Sequence, residues 1–251
     1  MHAGKHALIT GSSSGIGARI AVAYAREGCD VAINYPTGNF WQQKNASKIA
    51  EEVRALGRRA IIAEADITSE EEVKAMVSQV IETFGKLDIL VNNGGTASAA
   101  TCETMPVSMW DEMIRVNLRG VFLCTRAVLP HMYDRKYGKI INTASQLAYL
   151  GAPTFSHYCS TKGAILSFTR SIAREAGKRN VRVNAVGPGA TATPILSGVD
   201  KLVLKFIEAA IPRGRMATSE EISPTYIFLA SDENNAFVGQ CLSPNGGDMM
   251  L

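Results

Sequence analysis

The chain has 251 residues, 46% of them hydrophobic and 20% charged, with 26 Lys and Arg against 23 Asp and Glu for a net charge of +3. That balance suits one α/β domain with a sizeable core, and no Lys/Arg block points to a nucleic-acid partner. No apolar run approaches bilayer-spanning length, so no membrane partner is expected.

Met1–Lys5 leads directly into a strand-like segment, which leaves no room for a signal peptide; a cytoplasmic protein is expected. Cys29, Cys102, Cys124, Cys159 and Cys241 are scattered without a CxxC pair, the pattern of reduced thiols rather than a metal site. In chain order the predicted strands are His6–Thr10, Asp30–Asn34, Ala60–Asp66, Leu87–Asn93, Gly138–Ser145, Val181–Val186 and Gly239–Ser243. Consecutive apolar positions such as Ile61-Ile62 and Ile140-Ile141 indicate strands covered on both faces. Helix-length segments alternate with them. Ile165, Phe168, Ile172 and Ala176 mark one buried stripe, and Thr218 with Glu221 has capping-box spacing at the start of another helix that contains Pro224. Tyr35–Asn45 and a flap at about 194–216 read as mobile loops. Regular β-α alternation predicts a parallel, doubly wound sheet with right-handed crossovers.

The first strand runs into Thr10-Gly11-Ser12-Ser13-Ser14-Gly15-Ile16-Gly17, and Ile16, Ile20 and Tyr24 share a face of the helix that follows. A glycine turn at a helix N-terminus offers free N–H groups and a positive dipole end, both suited to a pyrophosphate. Gly11 permits the sharp turn, Gly15 close approach to the phosphates, and Gly17 close helix–strand packing. The spacing is G-x-x-x-G-x-G, and taken alone such a turn also has a purely structural reading.

Tyr158 and Lys162 lie one helical turn apart on one face. A phenol with a pKa near ~10 is a weak acid–base catalyst at neutral pH. A neighbouring ammonium is expected to lower it, so that Tyr158 exchanges a proton with a carbonyl or alcohol oxygen. Ser145, at the carboxyl end of a strand, is placed to bond that oxygen, and Asn117, in the preceding helix, to anchor a proton-relaying water. A lone YxxxK is as readily a surface pair; four such groups downstream of the glycine turn are not.

TGSSSGIG (10–17), Asp66, NNGG (92–95), Asn117, Ser145, YCSTK (158–162) and PGATAT (188–193) together resemble the short-chain dehydrogenase/reductase family over essentially the whole chain. The resemblance implies a single Rossmann-fold domain over 1–251. Its seven-stranded parallel sheet would have the order 3-2-1-4-5-6-7, with helices on both faces. It also implies an NAD(P)-dependent oxidoreductase, usually a homotetramer, acting on a small carbonyl or alcohol. Asn117, Ser145, Tyr158 and Lys162 would form the catalytic tetrad, with Lys162 also holding the nicotinamide ribose. Gly11, Ser13, Ser14, Gly15, Ile16 and Gly17 would line the pyrophosphate; Asn34 and Tyr35, with Asn93, Gly94 and Gly95, the adenosine ribose side. Asp66 and Ile67 would meet the adenine, and Pro188, Gly189, Thr191 and Thr193 the nicotinamide amide. Ser145, Gln146, Tyr149, Tyr158 and Gly187 would face the substrate, whereas His157 reads as a packing or solvent-facing residue.

Within the family the chain resembles the 3-oxoacyl-[acyl-carrier-protein] reductases and the glucose 1-dehydrogenases. It departs from them at Gly94, Ala144 and Asn245, where Ala, Ser and Asp are frequent, and in a longer segment after Tyr35 that carries Phe40 and Trp41. Those aromatics read as loop anchors, with a cofactor lid as the alternative. Asn34 stands where a carboxylate would bond the ribose 2′-hydroxyl and repel a 2′-phosphate, so NADP(H) is favoured and NAD(H) possible. A 3-oxoacyl or other carbonyl reductase is the first expectation, a sugar or polyol dehydrogenase the second, and a non-catalytic cofactor-binding regulator the remote third.

Overall fold

The computed structural model describes residues 2–196 and 199–250. Ser197 and Gly198 of the expected flap, and Met1 and Leu251 of the expected domain, lie outside the described residues. The consecutive apolar positions find cover on both faces, as the run pattern requires. Strand β1 (His6–Ile9) sends Ala7 and Ile9 into one core layer and Leu8 into the other, and β2 (Asp30–Tyr35) splits Val31 and Ile33 from Ala32 in the same way. With β3 (Ala60–Glu64), β4 (Ile89–Asn92), β5 (Gly138–Thr143), β6 (Val181–Val186) and β7 (Cys241–Leu242), they form a parallel sheet of order β3-β2-β1-β4-β5-β6-β7.

One face is covered by α1 (Gly15–Arg26), α2 (Phe40–Ala55) and α9 (Ser219–Ala230). The other carries α3 (Glu70–Phe84), α5 (Gly120–Asp134) and the end of α7 (Ser156–Ala176). Between them come α4 (Val107–Ile114), the short α6 (Leu147–Leu150) and α8 (Lys201–Ala210). The expected stripe holds in α7: Ile165 and Ala176 are fully buried, while Phe168 and Ile172 are partly so. The capping box of α9 is present, Thr218 accepting from the Glu221 N–H and Glu221 returning a bond to the Thr218 N–H. Pro224 cannot donate to the Glu220 carbonyl, and the Ser223 hydroxyl takes that acceptor instead at 3.1 Å.

The sheet's amino edge is closed by charge. Asp30 accepts from Arg58 and Arg59, Asp88 accepts from Arg135, and the His6 ring lies between the two carboxylates. Polar chemistry is thereby free to gather at the carboxyl edge. Among the described residues no helix is long and apolar enough to cross a membrane, and no group of three His, Cys, Asp or Glu is placed to hold a metal.

Three expectations need correction. Tyr35–Asn45 is not a loop: Tyr35 ends β2, and Asn39 caps α2, which starts at Phe40. Phe40 and Trp41 anchor nothing, being 79% and 61% exposed on the first turn of α2. The 194–216 segment contains a helix, α8, whose N-cap Asp200 accepts from the Leu202 N–H. Leu202, Val203 and Phe206 of that helix face outward rather than packing down.

Candidate active site

The glycine turn is built by contact distances. A Cβ on Gly11 would stand 2.7 Å from the Gly94 Cα, and one on Gly17 would stand 2.5 Å from Asn93 Nδ2 and 2.6 Å from the Gly11 carbonyl oxygen. Neither position has space for a side chain, because the turn is pressed against the loop after β4. The Thr10 hydroxyl binds the two segments together, accepting from the N–H groups of Asn93 at 3.0 Å and Gly94 at 2.9 Å. Asn93 Nδ2 donates to the Thr10 and Gly11 carbonyls.

Gly15 is different. It has φ +57°, and a Cβ there would meet only Thr193 and Pro194, no nearer than 3.7 Å. The N-cap of α1, Ser14, supplies no side-chain bond to the first-turn N–H groups. An uncapped helix start below open space fits a dinucleotide pyrophosphate, with Thr193 on its far side. Ser13 donates to Gln42 of α2 at 3.0 Å, which ties that helix to the turn.

Asn34 occupies a place that the sequence reading did not foresee. It is 1% exposed, its Oδ1 accepts from the Gly11 N–H at 3.0 Å, and its Nδ2 donates to the carbonyls of Ala63 at 3.0 Å and Ala65 at 3.1 Å. The side chain holds the glycine turn to β2 and β3 and has no group left for a ribose. Tyr35 is likewise buried, beside Glu64 and Gln43. At the adenine end, half-exposed Asp66 accepts from the Thr68 N–H at 2.8 Å, and Ile67 packs where Cβ atoms on Gly94 and Gly120 would stand.

The catalytic candidates converge at the carboxyl edge. Ser145 lies two residues past β5, is nearly buried, and its hydroxyl bonds Tyr158 and lowers that phenol's pKa. Lys162 Nζ lies 5.5 Å from the Tyr158 ring centroid and donates to the Thr143 carbonyl at 2.8 Å. Burial pushes the Lys162 pKa down to about 8. For Tyr158 burial outweighs the Ser145 bond, so its pKa is raised, not lowered. Acidification of the phenol by the ammonium is thus not a property of the cofactor-free chain: desolvation dominates both groups.

Asn117 sits not in an ordinary helix but in a π-helical turn, Arg115–Arg119, joining α4 to α5. Its Oδ1 accepts from the Thr96 N–H at 2.8 Å, and its Nδ2 donates to the Thr96 carbonyl at 2.9 Å. A Cβ on Gly95 would stand 3.0 Å from that Oδ1. His157 is fully buried behind Tyr158 and bonds Ser98 at 2.9 Å, a packing role.

On the substrate side, Gln146 is buried beside Ser145, its N–H bonded to the Pro188 carbonyl. Tyr149 does not join it: its hydroxyl turns to Cys241 of β7, and burial raises its pKa to about 12. Gly187 is packed shut, a Cβ there lying 3.2 Å from Cys241 Sγ and 3.5 Å from the Ser145 carbonyl carbon. Gly189 donates to the Pro244 carbonyl, and the Thr191 hydroxyl donates to the Gly189 carbonyl at 2.9 Å. Thr10, Ser12, Thr96, Gln42 and Asp248 were not singled out from the sequence. Thr10 and Ser12 stood inside the quoted turn, but the partners of the others are too distant in the chain to leave a local signal.

Comparison with known proteins agrees with this construction. Residues 11–248 match the family model described as enoyl-(acyl carrier protein) reductase. The chain is 36% identical over 246 residues to the 3-oxoacyl-[acyl-carrier-protein] reductase FabG of Staphylococcus aureus, covering 98% of each chain. A short-chain type dehydrogenase/reductase from Mycobacterium marinum superposes with a TM-score of 0.94 at 32% identity, over 100% of this chain and 97% of that one. The 3-ketoacyl-(acyl-carrier-protein) reductase from Brucella melitensis, solved in complex with NADH, gives 0.91 at 32% identity over 100% of both chains. With the sheet order, the glycine turn and the Ser145–Tyr158–Lys162 cluster already in place, the chain belongs to the short-chain dehydrogenase/reductase family and is an NAD(P)-dependent oxidoreductase.

Proposed function

We propose that the chain interconverts a ketone and a secondary alcohol, with Tyr158 as the proton donor, Ser145 as the oxygen-binding group, and Lys162 and Asn117 as positioning residues. The observation that carries this reading is the meeting of the Ser145 hydroxyl, the Tyr158 phenol and the buried Lys162 ammonium at the sheet's carboxyl edge. When bound, the nicotinamide ring gives or takes the hydride. Ser145 orients the substrate oxygen toward the phenol. A raised Tyr158 pKa keeps that phenol protonated at neutral pH, the state required of an acid, and so favours carbonyl reduction. Thr143 accepts one of the three Lys162 protons, which leaves donors for the ribose hydroxyls. Asn117 fixes the loop at Thr96 that borders the cleft.

NADP(H) is favoured and NAD(H) is possible. The relatives' names make 3-oxoacyl thioesters the first substrates to try. A homotetramer in the cytoplasm completes the reading; Trp110, Phe122, Phe228 and Met250 are exposed apolar residues available to subunit contacts. The test is oxidation of NADPH and NADH with acetoacetyl thioesters, simple ketones and sugars. Tyr158→Phe should lose turnover by about a thousand-fold while cofactor affinity stays within about two-fold. Full activity in that variant refutes the assignment.

A further inference from the structure

Beside Ser145 the cleft carries polar groups that the reaction does not use. Gln146 is 6% exposed, and its Nε2 donates to Asp248 Oδ2 at 2.5 Å, joining the chain just after β5 to the C-terminal segment. Its Oε1 is buried and has no hydrogen-bond partner among the described residues. That oxygen lies 3.0 Å from where a Cβ on Gly189 would stand, so it looks onto a glycine rather than a side chain. The local donors are engaged elsewhere. Asn245 Nδ2 donates to the Met249 carbonyl at 2.7 Å and to Ser243 Oγ at 3.2 Å, and the Thr191 hydroxyl donates to the Gly189 carbonyl. Arg213, whose N–H meets the Gly246 carbonyl, directs its guanidinium to Glu221, as does Arg215. Among the described residues Asp248 has no ion pair.

We propose that Gln146 and Asp248 form an acceptor-only wall that selects neutral substrates bearing a hydroxyl on the carbon next to the reacting one. This rests on the reading of Ser145 and Tyr158 as the reacting-oxygen site, because it is their adjacency to Gln146 that defines the neighbouring carbon. A buried acceptor without a partner is costly, and a substrate O–H supplies what the protein lacks. A carboxylate or phosphate at the same place meets the unpaired Asp248 charge and is rejected. Sites built to receive a hydroxyl discriminate strongly against analogues without one.

The experiment titrates cofactor-saturated protein with a matched pair, 2-butanol and 2,3-butanediol, by calorimetry or ligand-observed NMR. Wild type should bind the diol about ten-fold or more tightly than the mono-alcohol. Asp248→Ala and Gln146→Met should each reduce that ratio to about three-fold or less, with mono-alcohol and cofactor affinities holding within about three-fold. Equal binding of the two alcohols by wild type, or a ratio that survives in both variants, overturns the proposal. Selective diol binding without turnover of either alcohol supports the wall and counts against the oxidoreductase roles of Ser145 and Tyr158, so the two failures are separate.

Discussion

Replacing Asn34 by Asp separates two accounts of the same position. If the residue faced the adenosine ribose, a carboxylate there would repel a 2′-phosphate and turn the enzyme toward NADH. In the structure its Nδ2 donates to the Ala63 and Ala65 carbonyls at 3.0 and 3.1 Å, in a site 1% exposed. Asp cannot donate these bonds when ionised, and leaving each buried acceptor unmatched costs about 1–3 kcal/mol. Two of them amount to about 2–6 kcal/mol, or a fall in Tm of about 5–15 °C for a domain of this size. The bond from the Gly11 N–H remains available to a carboxylate oxygen and offsets part of this.

The pH dependence has a definite sign. A carboxyl enclosed by carbonyl oxygens has its folded-state pKa raised above the unfolded value of about 3.9. The folded state therefore holds the proton longer, and the variant loses stability as pH rises through that window and beyond it. Thermal melts at about pH 5 and about pH 8 should show the larger deficit at the higher pH. Fluorescence titration with NADH and NADPH should show both affinities weakened together. A variant that melts like wild type and gains selectivity for NADH would refute the buried role of Asn34.

Other outcomes follow from single contacts. Lys162→Met should abolish turnover and yet raise Tm at neutral pH, because an ammonium whose pKa is pushed down to about 8 opposes folding. That gain should shrink from about pH 8 toward the free lysine value of about 10.5, as the wild-type chain folds with a neutral amine; melts across this range check it. Gly17→Ala forces a Cβ to 2.6 Å from a backbone oxygen, which should cost about 1–3 kcal/mol and weaken cofactor binding, read by melting and titration. Thr218→Ala removes the N-cap of α9 and should cost about 1 kcal/mol in a denaturant melt. Trp41→Ser, on an exposed first turn, should leave stability within about 0.5 kcal/mol.

The sheet was legible because runs such as Ile61-Ile62 and Ile140-Ile141 declare burial on both faces, a property of the residues themselves. The start of α2 was not. Pro36, Thr37 and Gly38 carry turn chemistry, and the buried stripe of Ala46, Ile49, Ala50 and Val53 begins only after a polar first turn, so the Asn39 cap is hidden. The members of the catalytic cluster were visible by type and spacing, but their ionisation was not. Whether Tyr158 is acidified by its lysine or made more basic by desolvation depends on burial, which local sequence does not encode. Tyr149 shows the same limit in direction: four residues from Ser145, it turns to β7 instead of the cleft. Asp248 meets Gln146 from 102 positions away, and only the fold brings them together.

The approach of Gly11 to Gly94 has a dynamic consequence. Two backbones in van der Waals contact, laced by the Thr10 hydroxyl and the Asn93 amide, leave no slack in which either could swing alone. The floor of the cleft must then greet an arriving dinucleotide as a finished surface, without rearrangement. Any closing motion falls to α8, a helix with no buried residue to hold it down.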